Sequence, residues 1–185
     1  DLAMEKAKAN GLSFVAVRRS GHFGGTASYA RIAVAAGLVL ISGTGASPAL
    51  APFGGRDMKV GNNPFGFAAP GSLADPTGGP MPFILDMAQS VAARGKMRKL
   101  RDAGEPMDMW NSDDPQPQGT THFFLALDPA RLLSPTDYDA RMADFRGRIK
   151  STAPFHEGGK VFMPGEIELT LLAEREKSGV PVPAK

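Results

Sequence analysis

The sequence predicts an α/β layered fold, on one observation at its start, one in its second half and one in its composition. Apolar strand-like runs and helical segments alternate from the start, in the order helix (1–11), strand (12–20), helix (26–37) and strand (38–42). In the second half, "HFFLALD" (122–128) predicts a further strand. Glycine and proline are also frequent, with 22 and 16 residues, which favours many turns over a helical bundle.

The first elements each follow from their own residues. Gly11 is a natural C-terminal stop for the first helix, and the run Phe14–Val17 predicts a buried strand core. Thr26 or Ser28 is expected to cap the second helix. That helix has apolar residues at helical spacing, at Tyr29, Ile32, Ala33 and Ala36.

The middle of the chain is less regular. Residues 43–71 predict a loop-rich segment with a short strand at 65–69, and the apolar run of the next strand stops at Asp86. A basic helix is expected over 90–104. Residues 104–120 carry three prolines, an acidic pair and no periodicity, which indicates a linker or a discontinuity.

Two helices are expected near the end. The first runs from Pro135 to Lys150, and its inner stripe is predicted to be Tyr138, Met142, Phe145 and Ile149. A short strand in "KVFM" (160–163) is expected next, and the last helix is then opened by Pro164 and stopped by Gly179.

The composition limits the function classes. Net charge is only +2, and no aromatic residues are interleaved with the basic run, so we expect no nucleic-acid partner. No apolar stretch approaches the roughly 18 residues that span a bilayer, and the first residues do not resemble a signal peptide. The chain has no cysteine, and its three histidines share no spacing typical of a metal site. We therefore expect a cytoplasmic protein with no membrane partner and no metal.

The stretch "RRSGHFGG" (18–25) is the first candidate site. It places His22 at the end of a predicted strand, among glycines that leave space for a ligand. A neutral imidazole can exchange a proton with a hydroxyl or carbonyl oxygen, and Ser20 would orient it. The helix that follows presents unpaired N–H groups, which favour an anion. A loop histidine that caps this helix is the alternative.

Three further stretches adjoin strand or helix ends, and each has a structural alternative. "GTGAS" (43–47) does not complete a dinucleotide-binding glycine fingerprint, because Pro48 stands where the third glycine belongs, so a plain turn is the alternative. Asp86 and Ser90 would cap a following helix, or the carboxylate of Asp86 would accept a hydrogen bond from a ribose hydroxyl. "MPGE" (163–166) would either contact phosphate or ribose, or only begin the last helix.

Taken together, four stretches resemble the malate/L-lactate dehydrogenase-like NAD(P)-dependent oxidoreductases. They are "SGHFGGTASYARIAVAAGLV", "APFGG…VGNNPFGFAAP", "FILDMAQSVAARGKM" and "HFFLALDPAR…MPGE", in the family's order and covering most of the chain. The family includes ureidoglycolate dehydrogenase, diketogulonate reductase, sulfolactate dehydrogenase and a piperideine-carboxylate reductase. The resemblance implies a non-Rossmann fold with a layered mixed sheet and helices, which accounts for the missing glycine fingerprint.

The resemblance also implies an activity, namely hydride transfer between NAD or NADP and a small 2-oxo or 2-hydroxy acid such as malate, lactate or ureidoglycolate. It implies a homodimer with sites near the subunit boundary. By position, His22 corresponds to the family's catalytic histidine, with Ser20 beside it. The positions that match the family's cofactor-contacting segments are Ala46, Ser47, Asp86, Met87, Ala88, Gln89, Ser90, Pro164, Gly165 and Glu166.

Compared with the family, the fold is expected to be incomplete. An N-terminal helical region with a Ser-His and Arg substrate-binding motif, and an internal Gly-rich His-Lys-Gly motif, have no counterpart here. Thr44-Gly45 stands where many members have Thr-Asn, and Gly61-Asn62-Asn63-Pro64 stands where they have Gly-Thr-Asn-Pro.

The chain is accordingly divided into three predicted parts. Residues 1–104 are the cofactor-binding and catalytic-histidine part, 105–120 a linker or deletion junction, and 121–185 a C-terminal part that packs on the same domain. The alternative function is that of a truncated, non-catalytic homologue that dimerises or binds a nucleotide.

Overall fold

The computed structural model describes residues 1–72, 81–90 and 120–180. The helices within these ranges are α1 (Leu2–Asn10), α2 (Thr26–Ala35), α3 (Pro135–Lys150) and α4 (Glu166–Ser178), with a short 3-10 helix at Pro129–Arg131. The strands are β1 (Leu12–Ser20), β2 (Val39–Thr44), β3 (Pro48–Leu50), β4 (Val60–Gly61), β5 (Phe65–Ala69), β6 (Phe83–Met87) and β7 (Thr120–Leu127). The predicted basic helix and the predicted junction at 105–120 lie almost wholly outside the described residues.

Five of these strands form one sheet, in the order β1-β7-β2-β5-β6, while β3 and β4 pair separately. Strand β7 lies between β1 and β2, so that His122 is paired with Val17 on one side and Thr44 on the other. The predicted α/β class is confirmed, but every described pair is antiparallel, so the sheet is not the expected mixture. The reason is that β1 and β2, which run in the same direction, are separated by a strand from much later in the chain.

Helices α1 and α2 cover one face of this sheet with small side chains. The main core cluster consists of Ala3, Ala7, Ala33, Leu38, Leu40 and Ala126. A second cluster joins Ala30 of α2 to Ala68 and Ile84, and Leu169 of α4 packs against it. Alanines at these contacts have no side-chain atoms beyond Cβ, so the helices lie close to the strands.

The opposite face of the sheet carries apolar side chains that remain open to solvent. Phe14 is 63% exposed, and Leu12, Phe65 and Met87 are also exposed. The prediction that Phe14–Val17 is a buried core was therefore wrong for Phe14 and Ala16, which are exposed, whereas Val15 packs against the main core cluster. The physical reason is that one face of β1 lies against α1 and the other face is uncovered, as it is at Phe65 of the inner strand β5.

The predicted helices are mostly confirmed at their ends. Gly11 follows α1 with a φ of 86°, and α3 begins at Pro135 after the Ser134 hydroxyl accepts a hydrogen bond from the backbone N–H of Asp137. Capping of α2 by Thr26 or Ser28 was wrong, because its N-cap is Gly25, which has no side chain. The predicted apolar stripe of α2 also differs, because Ile32 is 56% exposed while Ala30 is buried.

The last segment differs from its prediction at the start. Residues 160–163 form no strand, and α4 begins at Glu166 rather than at Pro164. Instead, the carbonyl of Pro164 accepts a hydrogen bond from the N–H of Ile84, which belongs to the outer strand of the sheet. The segment therefore lies at the edge of β6, held there by this backbone hydrogen bond. Gly179 ends α4, as predicted.

Candidate functional site

The His22 loop follows an irregular end of β1. The register of β1 against β7 shifts between Val17 and Ser20, and Arg19 has a φ of 56°. A non-glycine residue in this left-handed region is strained by about 1–3 kcal/mol, and such irregularities redirect the chain that follows a strand. His22 lies exposed beyond this point, and Ser20 is the last residue of β1.

The imidazole of His22 is engaged on one nitrogen. Its Nδ1 accepts a hydrogen bond of 3.0 Å from the backbone N–H of Gly24. An accepting Nδ1 carries no proton, so the neutral imidazole has its proton on Nε2. The next residue, Phe23, is buried under the loop and is in ring contact with Tyr29 and with His122.

The N-terminus of α2 already has an anion, and that anion is Asp86. Its Oδ2 accepts a hydrogen bond of 2.9 Å from the N–H of Ala27, in the first turn of α2. The expectation that this helix end awaits an anionic ligand is therefore corrected, because a carboxylate from β6 takes that place. The carboxylate of Asp86 thus caps α2, and the helix predicted to follow β6 lies outside the described residues.

Strand alternation divides the candidate residues of β6 between the two faces of the sheet. Asp86 is paired with Gly66 on the helix side, and Met87 is paired with Phe65 on the open side. Because successive side chains of a strand point to opposite faces, the side chains of Asp86 and Met87 extend from opposite faces of β6.

An open cleft of about 830 Å³ lies on the uncovered face, where the ends of several strands meet. Met87, Ala88 and Gln89 line it, whereas His22 and Asp86 do not. Phe123 lies across its floor, where a Cβ on Gly43 would come within 2.6 Å of the Phe123 ring. The polar lining residues are Arg18, Thr44, Asn63, Gln89, Thr121 and His122.

A buried histidine at this cleft was missed at the level of sequence. His122 is 7% exposed, and its Nδ1 is 2.7 Å from the Thr44 hydroxyl. That hydroxyl donates to the carbonyl of Gly45, so it accepts from His122, whose proton is then on Nδ1. The sequence predicts His122 at the start of a strand. Its contact with Thr44 arises because β7 lies beside β2, and no local sequence pattern indicates that neighbourhood.

Two asparagines join the candidate cofactor segments to each other. Asn63 Oδ1 accepts a hydrogen bond from the N–H of Ala46, and Asn62 Oδ1 accepts one of 2.8 Å from the N–H of Ser90. The carbonyl of Asn62 also accepts from the N–H of Gln89. In the sequence, the "GNNP" stretch (61–64) marks a departure from the family. It does not indicate that the two asparagines connect these segments.

The third candidate segment lies on the helix side of the sheet. Pro164 and Gly165 line a second cavity of about 690 Å³ together with Asp86. A Cβ on Gly165, which has a φ of 86°, would come within 3.0 Å of Ile84. The structure thus brings Asp86 and residues 164–165 together, and it places Met87–Gln89 in the other cavity.

The carboxylate of Glu166 is already bound within the chain. It forms an ion pair of 2.8 Å with Lys150 and accepts a hydrogen bond from the N–H of Met163. Burial raises the pKa of this carboxyl, but the hydrogen bonds from Lys150 and Met163 and the nearby positive charges outweigh that effect and lower the pKa. Its side chain therefore joins the end of α3 to the start of α4.

The described ranges hold no cluster of three or more potential metal-ligating side chains. His156 lies in an exposed loop against Phe155, with ring centroids 4.7 Å apart. None of the helices in the described part of the chain is long and apolar enough to cross a membrane.

The comparison with protein families gives a match along the whole chain. A family model described as malate/L-lactate dehydrogenase matches residues 1–112 and 107–185. The match comes as two pieces that meet at the place where the sequence predicts a discontinuity.

Two curated relatives extend this finding. Malate dehydrogenase of Pyrococcus abyssi is 26% identical over an alignment of 241 residues, which covers 98% of this chain and 65% of the relative. This alignment is longer than the 185-residue chain, so the relative carries an internal segment that this chain lacks. Ureidoglycolate dehydrogenase (NAD(+)) of Escherichia coli O157:H7 is 36% identical over 112 residues, covering 60% of this chain and 30% of the relative.

The solved structures agree on the fold. Malate dehydrogenase from Pyrococcus horikoshii OT3 superposes with a TM-score of 0.82 at 24% identity, covering 98% of this chain and 64% of that one. The non-Rossmann fold expected from the resemblance is thereby confirmed.

Proposed function

Because the chain belongs to the malate/L-lactate dehydrogenase family, we propose that it acts as an oxidoreductase that transfers a hydride between NAD or NADP and a small 2-hydroxy or 2-oxo acid. The chain spans about two thirds of the length of the malate dehydrogenase of Pyrococcus abyssi. The activity of the whole protein, its substrate and its partners are therefore proposals. The names of the relatives support the substrate class, with malate and ureidoglycolate as examples.

The observation that carries this proposal is the exposed imidazole of His22, which the resemblance matches to the family's catalytic histidine. His22 would give a proton to the substrate oxygen during reduction and take it back during oxidation. Ser20, at the end of the same strand, would hold the imidazole or the substrate oxygen. An imine substrate fits the same arrangement, with nitrogen in place of oxygen.

The cleft on the open face fits a nicotinamide cofactor in size and chemistry. Ligand pockets of this kind measure about 300–1,000 Å³, with apolar walls and a few polar groups. Phe65, Met87 and Phe123 supply apolar walls, and Asn63 and Gln89 supply polar groups. A bound nicotinamide cofactor would supply the hydride.

We propose two groups of cofactor contacts. Ala46, Ser47 and Met87–Ser90 would hold the cofactor from the cleft side, since the two asparagines tie these segments together. Asp86 and Pro164–Glu166 would contact it from the helix side, through backbone groups in the case of Glu166, whose carboxylate is bound to Lys150. The relative named with NAD(+) supports NAD, and NADP stays an open alternative.

A titration with NADH and NADPH, followed by the fluorescence of the reduced nicotinamide, tests this proposal. We expect saturable binding that weakens in Met87→Ala. Met58→Ala is the matched control, because Met58 is an exposed methionine outside the cleft. Absence of binding in a folded sample would overturn the enzyme proposal for this chain.

The second candidate is a non-catalytic homologue that dimerises or binds a nucleotide. The observation in its favour is the exposed apolar face of the sheet, with Leu12 and Phe14 more than half exposed, because large apolar patches mark interaction sites. A homodimer in the cytoplasm is proposed in either case. Sedimentation of a dimer that binds neither nucleotide would favour the interaction protein over the enzyme.

A further inference from the structure

The loop that carries His22 is fixed through the residue that follows it. Phe23 is 7% exposed, and its ring centroid lies 4.5 Å from that of Tyr29, 4.7 Å from that of His122 and 5.6 Å from that of Phe124. A buried aromatic ring next to an exposed imidazole restricts the backbone from which that imidazole projects.

A single peptide unit connects Tyr29 to His22. The Tyr29 hydroxyl donates a hydrogen bond of 2.8 Å to the carbonyl of Phe23. The N–H of Gly24 donates to Nδ1 of His22. This carbonyl and this N–H belong to the same peptide group, between residues 23 and 24.

The planarity of that peptide group transmits orientation from one end to the other. Since the C=O and N–H bonds lie in one plane, holding the carbonyl of Phe23 also sets the direction of the N–H of Gly24. A hydrogen bond to the carbonyl polarises the group as well, and it strengthens the bond that the N–H donates. Tyr29 itself lies in α2, one turn after its start, and packs against the main core cluster.

From this geometry we propose that Tyr29 is a positioning residue for His22. Through the peptide group of Phe23 and Gly24, Tyr29 keeps Nδ1 of His22 as an acceptor and leaves the protonated Nε2 as the atom that exchanges a proton with substrate. The catalytic meaning of this arrangement rests on the proposed function. The orientation of the imidazole does not, and it is measurable in the protein without cofactor or substrate.

The test is nitrogen NMR of the imidazole side chains in protein labelled at histidine with ¹⁵N. The chain has only three histidines, so variants of His122 and His156 assign the signals. Spectra are recorded at a pH where the imidazoles are neutral, for wild type, Tyr29→Phe and Tyr138→Phe. Tyr138→Phe is the matched control, because the hydroxyl of Tyr138 also donates to a backbone carbonyl, that of Pro70, at 2.9 Å.

We expect wild-type His22 to be protonated on Nε2, with Nδ1 showing the shift of an acceptor. In Tyr29→Phe the His22 signals should shift or broaden as the tautomers mix, and in Tyr138→Phe they should not. Where turnover is measurable, kcat of Tyr29→Phe should fall about five- to tenfold, the factor that corresponds to one neutral hydrogen bond, with KM little changed.

Two outcomes would overturn the proposal. One is a wild-type His22 protonated on Nδ1, which needs no variant and so does not depend on whether Tyr29→Phe folds. The other is a folded Tyr29→Phe protein with His22 signals identical to those of wild type. A chain that shows the expected tautomer but no turnover would instead contradict the proposed function and leave the positioning role in place.

Discussion

Substitution of Asp86 separates a structural role of this carboxylate from a role in cofactor binding. Its Oδ2 accepts a hydrogen bond of 2.9 Å from the N–H of Ala27. It therefore supplies the capping acceptor that the N-cap residue Gly25, which has no side chain, cannot supply. Loss of a capping side chain costs about 1 kcal/mol. For a chain of 185 residues, that corresponds to a fall in Tm of roughly 2–4 °C.

Two variants divide this free energy into its parts. Asp86→Ala removes the acceptor and the charge, whereas Asp86→Asn keeps an amide oxygen as acceptor and loses only the charge at the helix N-terminus, worth about 0.3–1 kcal/mol. Equilibrium unfolding in urea measures both, and we expect the midpoint to fall in the order wild type, Asn, Ala. Ser134→Ala is the matched control, because its hydroxyl caps α3 through the N–H of Asp137 at 3.1 Å.

An Asp86→Ala midpoint equal to that of wild type, with Ser134→Ala destabilised, would refute the capping role of Asp86. An Asp86→Asn variant as unstable as Asp86→Ala would also contradict it, because the acceptor oxygen would then contribute nothing. Loss of NADH binding in Asp86→Asn without loss of stability would assign the carboxylate to the cofactor.

Three further predictions concern the packing and titration of the fold. Gly66→Ala should lower the free energy of unfolding by about 1–3 kcal/mol through overpacking, because its Cβ would come within 2.7 Å of the Cβ of the fully buried Thr26; an unchanged urea midpoint would contradict this. The lowered pKa of Glu166 means that its ion pair with Lys150 stabilises the fold above the ordinary pKa of 4.5 and is lost as the pH falls below it. Glu166→Gln should therefore flatten the dependence of Tm on pH in that acid range, and an unchanged profile would count against the ion pair. Burial raises the pKa of Tyr138 to about 12, so the fold should lose stability as the pH rises from 10 to 12, and ultraviolet titration of Tyr138→Phe should lack the phenol transition near pH 12.

The helices were the most predictable part of the fold from sequence. Helix α3 begins after the capping residue Ser134, at Pro135, and α1 and α4 end at glycines. Residues close in the sequence therefore set the limits of these helices. Strands β5 and β7 likewise follow from apolar runs between turns.

What the sequence did not indicate is the order of the strands and the faces they bury. The residues of β1 predict a buried strand, but helices cover only one face of the sheet, which leaves Phe14 on the other face open to solvent. The capping of α2 was mispredicted for the same kind of reason, since its acceptor Asp86 lies 59 residues away in the chain. Propensity and capping patterns describe near neighbours, and these contacts depend on the assembled sheet.

The candidate site shows a similar division. The exposed position of His22 and the strand end at Asp86–Met87 follow from the sequence, and the roles proposed for these residues rest on the resemblance to the family. The pairing of His122 with Thr44 and the ties made by Asn62 and Asn63 depend on strands that meet only in the fold. The division of the chain at 105–120 stays a prediction.

The most direct test of the account is turnover in His22→Ala, measured as oxidation of NADH or NADPH with a panel of small 2-oxo acids. His156→Ala is the matched control, since His156 is also an exposed loop histidine. We predict turnover with at least one acid in wild type and in His156→Ala, and a loss of about a hundredfold or more in His22→Ala, the range of general acid–base catalysis. Wild-type kcat in a folded His22→Ala protein, or no turnover by folded wild type with either nucleotide, would contradict the account.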